Sequence, residues 1–568
     1  MTTPADGAPR RIVVVGGVAG GATAAARARR LDERAEITLV ERGPYLSFAN
    51  CGLPYYIAGE ITERSKLLLE TPESLARRYR VDAFVHTEAL EIDRDDRRLR
   101  VSGPEGERWL PYDRLILAQG GTPIRPSLPG GDAPHVFTLW TVPDTDRLQA
   151  FITTQRPRSA VVVGGGFIGL EMAEAFHARG LQVTIVELQP TVMSVMDPEF
   201  GHQVAGACRQ HGVTVLTGVG VVAVHASDTT VELTDGRRIP AGLVLLSVGV
   251  RPELTLATQA GLAIGRSGGL LVDDHLQTSD PAIFAAGDMI EVEHRVSGRR
   301  VRMPLAGPAN RQGRIAASNA LGVPMRYAGA LGTSVVKVFD STAAMTGLTE
   351  RTARDAGFTA GVAVVHAGSH AKYYPGAREL SLKLVYDRDT ARLLGAQAFG
   401  DDGVDKRIDA LAMALLGGMT VHDLATADLA YAPPYSSAND PLNMAAFVAG
   451  NDLSGYSPLI TADALQAELA SAAPPVVLDV RTAAEFSEGH FCDALHVPVD
   501  ELRGRLNELP RDRAIVVHCR GGMRAHVASR ILQAAGFEGV RNVTGGWVSM
   551  QAAQGLCVSR DADAADGH

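Results

Sequence analysis

Short apolar runs that end in glycine-rich turns mark the first half of the chain. Arg11 to Val15 runs into such a turn and then into an Ala/Arg-rich segment, and the next apolar run, Ile37 to Val40, ends at Glu41. Two apolar strands joined by one helix are typical of a parallel sheet. The pattern therefore predicts a strand–helix–strand unit near the start of the chain.

The turn of this unit, Gly16 to Gly21 (GGVAGG), resembles a dinucleotide-binding turn. Glu41 lies 20 positions beyond its last glycine, where a carboxylate can accept hydrogen bonds from a ribose hydroxyl. Val18 occupies the position at which a second glycine usually permits close approach of the pyrophosphate. The residues of this turn alone leave its dinucleotide function open.

The same unit is repeated further along the chain. Ala160 to Val163 leads into Gly164 to Gly169 (GGGFIG), which is followed by a predicted helix, Leu170 to Arg179, and a predicted strand, Val183 to Val186, that ends at Glu187. This turn has all three glycines, so a pyrophosphate can lie at the helix N-terminus, where free amides and the helix dipole favour an anion. Two turns predict two dinucleotides, one bound permanently and one exchanging.

Beyond the two glycine-rich units the pattern changes twice. From about Tyr327 the glycine fingerprints stop, and alternating segments such as Glu379 to Tyr386 predict an α+β domain. A polar linker, Asn451 to Ser457, then precedes a small α/β unit in which the strand Ile515 to His518 is followed by a helix, His526 to Ala535. The chain is therefore predicted to contain several domains.

Composition restricts the class of protein. With 568 residues, of which 46% are hydrophobic and 21% charged, the chain suggests three or four domains. Its formal net charge of −9 argues against a nucleic-acid partner. It contains neither a run of eighteen apolar residues nor a signal-type N-terminus, so a cytoplasmic protein without membrane contact is predicted. No metal site is predicted.

The five cysteines are too few for a disulfide framework in so long a chain and fit a reducing compartment. Cys51 lies in the segment Ser47 to Tyr56 (SFANCGLPYY), and the next cysteine is Cys208. If Cys51 is redox-active, its disulfide or persulfide partner must therefore be a small external thiol. A helix predicted to begin near Cys51 would lower the pKa of its thiol.

Several segments together resemble the flavin-dependent pyridine nucleotide-disulfide oxidoreductases over roughly residues 10 to 450. They are GGVAGG, SFANCGLPYY, PAIFAAGD (281–288), GPANRQGR (307–314) and YAPPYSSANDPLN (431–443). Within that family the chain is most similar to the coenzyme A-disulfide reductases, and its C-terminal part resembles a rhodanese domain.

The resemblance implies an α/β fold with two Rossmann-like three-layer nucleotide-binding domains, an α+β dimerisation domain and an α/β rhodanese domain. The predicted domains are a two-part FAD-binding domain, 10–150 and 255–325; an NAD-binding domain, 151–254; a dimerisation domain, 326–449; and a rhodanese domain, 458–555.

The implied cofactors are FAD, NADH and coenzyme A, the last as bound substrate or cofactor. Glu187 is followed by Leu188 and Gln189 with no nearby arginine, which favours NADH because a 2′-phosphate would meet a carboxylate; NADPH remains the alternative. Asp288 would bind the ribityl-phosphate end of FAD. The predicted cofactor-binding residues are Gly16, Gly17, Ala19, Gly20, Gly21, Glu41, Arg42, Gly120, Gly164, Gly166, Gly169, Glu187, Gly249 and Asp288.

The resemblance also implies the reaction: NADH reduces FAD, which then reduces a mixed disulfide of Cys51 with coenzyme A or a Cys51 persulfide. A rival branch of the family contains NADH oxidases and peroxidases, many of which carry a histidine in the first glycine turn; here the corresponding residue is Ala19. Small thiols, disulfides and persulfides are therefore the predicted substrates. An oxidase or peroxidase, and a persulfide-sensing carrier, remain alternatives.

A coenzyme A site needs cations for its phosphates. On the helix after the first turn, Thr23, Arg27 and Arg30 are spaced so that they share one face, which in the resembling family lines the coenzyme A channel. A solvated basic face is the alternative interpretation. Further candidates around the substrate are Ser47, Asn50, Lys66, Arg78, Tyr79 and Arg80.

A homodimer is implied as well. In the family, tyrosines of the dimerisation domain reach across the dimer to the active-site sulfur. The corresponding catalytic candidates here are Tyr435 and one of Tyr373 and Tyr374, and Asn443 would approach the substrate from the same side.

The C-terminal candidate is the loop from Cys519 to Arg524. Its amides can surround an anionic persulfide on Cys519, and Arg520 and Arg524 add positive charge. Four residues separate Cys519 from Arg524, the shorter ring of a sulfurtransferase, and Cys519 would carry sulfane sulfur. Cys208, Cys492 and Cys557 are predicted to be nonessential. Other rhodanese features are Asp479 to Arg481, Glu485, Gly489-His490 and Gly545 to Trp547.

Overall fold

The computed structural model describes residues 9–553 and 557–559. These form two compact units, one up to Val192 together with Cys208–Gly332, the other Met193–Ala207 together with the chain from Thr333 onward. The last two residues of the predicted rhodanese domain, 554 and 555, lie outside the described residues. The predicted α/β class is confirmed by the sheets described below.

A five-stranded parallel sheet organises the first glycine turn. In spatial order its strands are Ile283–Ala285, Arg114–Leu117, Arg11–Val15, Glu36–Val40 and Val81–Phe84. The central strand is buried on both faces because it is nearly all valine and isoleucine. The turn continues into the helix Ala19–Leu31, which packs against the helix Ala306–Ala320 so closely that a Cβ on Gly313 would overlap the carbonyl oxygen of Gly20.

A second five-stranded parallel sheet repeats this plan. Its strands are Thr214–Thr217, Gln182–Glu187, Ser159–Val163, Leu243–Leu246 and Val136–Phe137. The following helix is Phe167–Ala178, which begins three residues earlier than the sequence predicted because Gly166 is already its N-cap. The last glycine of the fingerprint therefore lies inside the helix.

An antiparallel sheet organises the second unit. Its strands in spatial order are Ser334–Val338, Ser341–Gly347, Leu393–Gly400, Glu379–Asp387 and Ala360–Gly368. The helices Val404–Leu416 and Pro441–Leu453 belong to the same unit. This is the α+β domain that the alternating pattern predicted.

A buried lysine explains why residues 193–207 belong to the second unit. Nζ of Lys383 lies 2.9 Å from Asp197, 2.6 Å from Glu199 and 3.0 Å from Glu350. A buried charge requires such partners. These ion pairs fix against the antiparallel sheet a segment that lies, in sequence, between the strands Gln182–Glu187 and Thr214–Thr217 of the second parallel sheet.

A third parallel sheet lies near the C-terminus. Its strands are Leu459–Ile460, Arg541–Val543, Ile515–His518, Val476–Asp479 and Leu495–His496. The accompanying helices are Ala462–Leu469, Ala483–Ser487, Met523–Ala534 and Gly546–Ala552. The helix predicted from His526 begins at Met523 because Gly522, with φ of +109°, caps it directly after the cysteine loop.

A disulfide corrects the predictions made for the C-terminal cysteines. Cys492 and Cys557 are bonded, with Cα atoms 5.5 Å apart across 65 positions of sequence. The strand His490–Phe491 pairs antiparallel with Val558–Ser559 and brings them together. They are therefore neither free thiols nor evidence for a wholly reduced chain. Cys208 is buried, which raises the pKa of its thiol to about 12 and fits a nonessential residue.

The remaining elements connect these sheets. Short strands are Glu88–Asp93, Arg98–Gly103, Gly106–Pro111, Gly121–Pro123, Val221–His225, Thr230–Leu233, Arg238–Pro240, Val250–Pro252, Leu270–Leu271, Ile290–Glu293 and Arg300–Arg302. Further helices are Leu53–Ala58, Pro72–Tyr79, Val142–Gln155, Pro198–Gln210, Thr255–Gln259, Glu350–Asp355 and Val421–Ala425. Within residues 9–553 and 557–559, every helix is too short or too polar to span a membrane.

Candidate active sites

A cleft of about 430 Å³ lies where the strands of the first parallel sheet end. The carboxyl ends of parallel strands are the usual ligand site of such sheets. The structure brings together here most of the residues predicted for FAD. Those that line the cleft are Gly16, Gly17, Ala19, Gly20, Glu41, Arg42, Gly120 and Asp288.

The backbone of the first turn requires its glycines. Gly16 has φ of +97°, and a Cβ there would overlap the carbonyl oxygen of Ala118; a Cβ on Gly21 would overlap that of Gly16. Both oxygens of Glu41 accept backbone hydrogen bonds, from the N–H of Gly17 at 2.8 Å and from that of Gly43 at 2.7 Å. The turn is therefore rigid, and its carboxylate is fixed at the position expected for a ribose contact.

The second turn is built in the same way. Gly164 has φ of +105°, and a Cβ on Gly169 would overlap its carbonyl oxygen. Glu187 accepts from the N–H of Gly165 and from that of Gln189, each at 2.7 Å. The two predicted dinucleotide turns thus share their glycine geometry and their carboxylate contacts.

The middle position of the fingerprint differs between the two turns. Gly166 and Val18 are each the N-cap of the following helix. A Cβ on Gly166 would meet no protein atom within 4 Å, so packing does not require glycine there. The valine of the first turn is therefore compatible with the same backbone. Gly249, with φ of +105°, lies beyond the strand Leu243–Leu246 of the second sheet.

The first cleft also contains polar groups that suit a ligand. The side-chain oxygen of Gln119, which lines the cleft, is buried without a hydrogen-bond partner among the described residues. Burial raises the pKa of Asp288 to about 6. An unpartnered buried acceptor needs a donor, and the hydroxyl-rich ribityl and ribose groups of FAD supply such donors, so the residues present fit this cofactor. Gln119 was missed, although it directly precedes the predicted Gly120.

Cys51 is an exposed free thiol beside residues of this cleft. It lies in a short 3-10 turn, Asn50–Gly52, that precedes the helix Leu53–Ala58. The side-chain oxygen of Asn50, a residue that lines the cleft, accepts from the N–H of Cys51 at 3.1 Å and lies 3.7 Å from its Sγ. The predicted proximity of Asn50 to the sulfur is therefore present in the structure.

The pKa of the Cys51 thiol is raised, contrary to the sequence prediction. Burial is the main cause, followed by the negative charges of Glu171 and Asp288. The helix expected to lower the pKa begins only at Leu53 and spans six residues. Glu171 is itself buried, which raises its pKa to about 7, and it accepts a hydrogen bond from the Tyr55 hydroxyl at 3.4 Å. The protein groups alone therefore disfavour the thiolate.

A cluster of unpaired arginines follows the first turn. Arg27 donates from Nε to the Ser318 hydroxyl at 3.1 Å, and burial together with the charges of Arg314 and Arg30 lowers its pKa. No ion pair joins these three arginines to any carboxylate of the described chain. Uncompensated cations in one place attract an anion. Arg314 was not a sequence candidate, although it ends the segment GPANRQGR.

Other substrate candidates of the first unit make local contacts. Thr23 donates to the side-chain oxygen of Asn310 at 2.7 Å, Ser47 donates its N–H to the carbonyl of Gly17, and Tyr79 is half-buried against the hydrophobic core. The three further cations are each paired with a carboxylate, which argues against a phosphate role: Lys66 with Glu63, Arg78 with Glu70 and Arg80 with Glu33.

The candidate tyrosines lie on the surface of the second unit. Tyr435 is 72% exposed, and Tyr374 is less so because its ring packs edge-on against His370. The hydroxyl of Tyr373 lies 2.9 Å from that of Tyr431, a residue that the sequence argument did not select from the segment YAPPYSSANDPLN. All four aromatic side chains remain available to a second subunit.

Asn443 has a structural role that argues against the predicted substrate contact. Its side-chain oxygen accepts the N–H of Asp440 in the cap of the helix Pro441–Leu453. Its amide group donates to the carbonyls of Leu424 at 3.1 Å and Ala427 at 3.2 Å. With 7% of its surface exposed, Asn443 has both ends of its side chain occupied.

Cys519 is enclosed by its own loop. It follows the buried strand Ile515–His518, is 2% exposed, and its Sγ accepts the N–H of Gly522 at 3.1 Å. Arg524 also interacts favourably with this sulfur, and it forms two hydrogen bonds with Glu485, at 2.6 and 2.7 Å. That pairing lowers the pKa of Glu485 to about 2.

The second loop arginine is held differently from the prediction. Arg520 donates from Nη1 to Glu379 at 2.9 Å, so its charge is paired with a carboxylate of the antiparallel sheet. The sequence placed Arg520 on the sulfur substrate. Glu379 was missed because it lies far from the loop in sequence, at the start of a strand.

The other rhodanese residues form one buried cluster behind the loop. Arg481 bonds Asp479 at 2.6 Å and the carbonyl of Gly489 at 2.7 Å, and its guanidinium lies 4.5 Å from the centre of the Trp547 ring. The backbone N–H of Trp547 donates to the backbone carbonyl of Cys519 at 2.7 Å. Their common role is to position the cysteine loop.

Comparisons with known proteins agree with this arrangement. Residues 10–313 match the pyridine nucleotide-disulphide oxidoreductase family, 333–441 its dimerisation domain, and 461–553 the rhodanese-like domain. A protein from Pyrococcus abyssi described as a coenzyme A-dependent NAD(P)H sulfur oxidoreductase is 37% identical over 76% of this chain and 96% of its own.

Two solved structures cover nearly the whole chain. The reduced Bacillus anthracis protein described as CoADR-RHD is 44% identical, with a TM-score of 0.93 over 96% of this chain and 98% of its own. An NAD-dependent persulfide reductase from A. fulgidus is 37% identical, with a TM-score of 0.88 over 95% and 99%.

Proposed function

The chain belongs to the pyridine nucleotide-disulphide oxidoreductase family, and on that premise we propose that it reduces coenzyme A disulfide, coenzyme A persulfide or polysulfide at Cys51 with NADH. The observation that carries the proposal is the state of Cys51. Among the described cysteines it is the exposed free thiol, whereas Cys208 and Cys519 are buried and Cys492 is bonded to Cys557. A redox role at Cys51 therefore calls for an external sulfur partner.

The residues of the first cleft would hold FAD. The turn from Gly16 to Gly21 offers its amides to the pyrophosphate, Glu41 faces the ribose position, and Asp288 would contact the ribityl-phosphate end. Bound FAD supplies two-electron transfer between a nicotinamide and sulfur. The second turn, with Glu187 fixed at the ribose position, would bind the nicotinamide dinucleotide; this carboxylate supports NADH over NADPH.

The chemistry of the chain itself centres on Cys51. Its thiolate attacks one sulfur of coenzyme A disulfide, a mixed disulfide forms, and the first coenzyme A leaves as a thiolate with the electron pair of the broken S–S bond. Two-electron reduction of the mixed disulfide restores the Cys51 thiolate and releases the second coenzyme A. Asn50 orients the sulfur through its two contacts to Cys51.

Cations and a second cysteine complete the proposal. The arginine cluster of Arg27, Arg30 and Arg314 would bind the phosphates of coenzyme A. Cys519 would carry sulfane sulfur as a persulfide, which the Gly522 amide and Arg524 would stabilise. The match to the dimerisation domain supports a homodimer. In such a dimer Tyr435 and Tyr373 or Tyr374 would serve the partner's Cys51, and the protein would act in the cytoplasm.

Anaerobic steady-state kinetics test the proposal. NADH oxidation should require coenzyme A disulfide, or polysulfide together with coenzyme A, and intact protein isolated after single turnover should carry coenzyme A or sulfane sulfur on Cys51. In a parallel aerobic assay, NADH loss that needs only oxygen and no sulfur substrate would instead identify an oxidase. Stoichiometric sulfur binding without turnover would identify a persulfide carrier.

A further inference from the structure

The loop from Cys519 to Arg524, here called the Cys519 loop, contacts the antiparallel sheet of the same unit. Arg520 donates to Glu379 at 2.9 Å, and Thr544, in the segment before the last helix, accepts the N–H of Val364 at 2.7 Å. The first contact is solvent-exposed and the second is buried. The buried contact can hold the C-terminal domain against the antiparallel sheet, whereas the exposed ion pair contributes little to stability.

A buried histidine extends the same contact. His366 lies between two serines, with Nδ1 2.9 Å from Ser381 and Nε2 3.0 Å from Ser549. Ser381 gives its hydroxyl proton to Gln203, so it accepts from Nδ1 of His366, and Nε2 accepts from Ser549. Burial lowers the pKa of His366 to about 4, so the imidazole stays neutral. The helix Gly546–Ala552, which contains Ser549, is therefore fixed to the sheet.

That helix also fixes the backbone of the Cys519 loop. The N–H of Trp547 donates to the carbonyl of Cys519 at 2.7 Å, and that of Val548 donates to the carbonyl of Arg520 at 3.2 Å. Glu379 and Ser381 are two positions apart on one strand, so they point to the same face of the sheet. The sheet therefore holds Arg520 at two points, through its backbone and through its guanidinium.

The Glu379 pair changes the charge that a donor meets at the loop. Glu485 already neutralises Arg524, and Glu379 neutralises Arg520. Both arginines belong to the loop that encloses Cys519, so these pairings lower the positive charge that an anionic donor meets near the sulfur. We propose that Glu379 is a specificity-determining residue, which disfavours small dianionic sulfane-sulfur donors such as thiosulfate at Cys519. This inference rests on the proposed sulfur-carrying role of Cys519 and deepens it.

The transfer step is the same for every donor. The Cys519 thiolate forms a new S–S bond with the sulfane sulfur of thiosulfate, and the donor's S–S bond breaks with its electron pair leaving on sulfite. The product is a Cys519 persulfide, and no further oxidant or reductant is consumed. A persulfide of a thiol that bears no phosphate, such as cysteine persulfide, carries less negative charge than the thiosulfate dianion, so pairing of Arg520 with Glu379 weakens its attraction to the loop less. Glu379 therefore favours persulfides of such weakly charged thiols over thiosulfate.

The test uses the full-length protein with Glu379 replaced by Gln, which keeps the shape of the side chain and removes its charge. The KM for thiosulfate, followed by sulfite release with a thiol acceptor, should fall about 3- to 10-fold at low ionic strength, and the change should shrink at high salt. The KM for a thiol persulfide should change less. Glu468→Gln is the matched control, because the Glu468 side chain is as exposed as that of Glu379, at 40%, and pairs with another arginine, Arg541.

Two further measurements make the result decisive. Adding Arg520→Gln to the Glu379→Gln variant should return the KM for thiosulfate to that of the unmodified chain, because the freed Arg520 guanidinium is what lowers the KM. NADH-driven reduction of coenzyme A disulfide should be unchanged in Glu379→Gln and shows that the variant is folded. An unchanged or higher KM for thiosulfate overturns this inference alone. Failure of Cys519 to form a persulfide in both the unmodified chain and the variant overturns its sulfur-carrying role as well.

Discussion

The two candidate sulfur sites differ in the groups that surround their cysteine sulfur atoms. Cys51 is accessible at the surface, but nearby protein atoms partly desolvate its sulfur, and this desolvation raises the pKa of the thiol, as do the charges of Glu171 and Asp288. Cys519 is 2% exposed and already receives the Gly522 amide and the favourable interaction with Arg524. One site stabilises an anionic sulfur within its own loop, whereas the other needs groups that bind to it.

This difference follows from how each site is assembled. The stabilising groups of Cys519 come from the five residues that follow it, in a strand–loop–helix unit. The groups that act on Cys51, Glu171 and Asp288, come from distant segments, and its neighbour Asn50 lines the cleft of about 430 Å³ at the end of a parallel sheet. A cleft of that kind suits a cofactor, which can supply the stabilisation that the protein groups lack.

Replacing Cys51 by Ser should have the largest effect. Without the nucleophile, NADH-driven reduction of coenzyme A disulfide and persulfide should fall by at least about 1,000-fold, whereas the release of sulfite from thiosulfate at Cys519 should persist. Steady-state NADH oxidation and sulfite release measure the two activities separately. The control is Cys208→Ser, which should change neither. Full turnover by the Cys51 variant would eliminate the proposed mechanism.

Cys519→Ser is the reciprocal change. Sulfur transfer from thiosulfate or polysulfide should fall by roughly 100-fold or more, because the sulfur acceptor is lost, while coenzyme A disulfide reduction stays within about twofold. The same two assays check this outcome. Parallel loss of both activities would show that the sites do not act independently.

Arg524→Gln should slow sulfur transfer at Cys519 and leave the reaction at Cys51 unchanged. Loss of a charged hydrogen-bonding partner typically costs about 1.5–3 kcal/mol, so persulfide formation on Cys519 should slow roughly 10- to 100-fold. The measurement is the rate at which Cys519 gains 32 Da in intact-mass spectra with thiosulfate. Arg530→Gln, on the same helix, is the control. An unaltered rate would mean that the loop amides suffice.

The smallest effect is expected from Glu171→Gln, which acts on the thiol of Cys51. Removing a negative charge favours the thiolate, so the pKa of Cys51 should fall, and alkylation at neutral pH should become faster. The pH dependence of iodoacetamide labelling of the Cys51 peptide checks this prediction. Glu63→Gln, an exposed glutamate paired with Lys66, provides the control. A labelling midpoint that moves to higher pH would contradict the conclusion that the charge of Glu171 raises the pKa of Cys51.

Local patterns predicted those parts of the molecule in which neighbours in sequence determine the conformation. The turns beginning at Gly16 and Gly164 were recognisable because steric overlap permits only glycine at several of their positions. The strand Ile515–His518 and the Cys519 loop were equally clear, since the loop is stabilised by residues beside it. Helix starts were missed by three residues where a glycine cap directly continues a turn.

Local sequence patterns did not predict several properties of the sites. The sequence suggested a substrate contact for Asn443, but the structure uses both ends of its amide to fix a helix cap and two carbonyls. It suggested a lowered pKa for Cys51, but buried carboxylates from other segments act in the opposite direction. Such outcomes depend on which distant groups come together.

The sequence by itself therefore determined the order of the domains, the two glycine-rich turns and the two candidate sulfur sites, because turn geometry and strand periodicity are encoded within short segments. Only the tertiary structure decided that Cys492 bonds Cys557, that Glu379 neutralises Arg520, and which carboxylates surround Cys51. The physical reason is that electrostatic and covalent partners interact through space, and their separation along the chain does not indicate their distance in the fold.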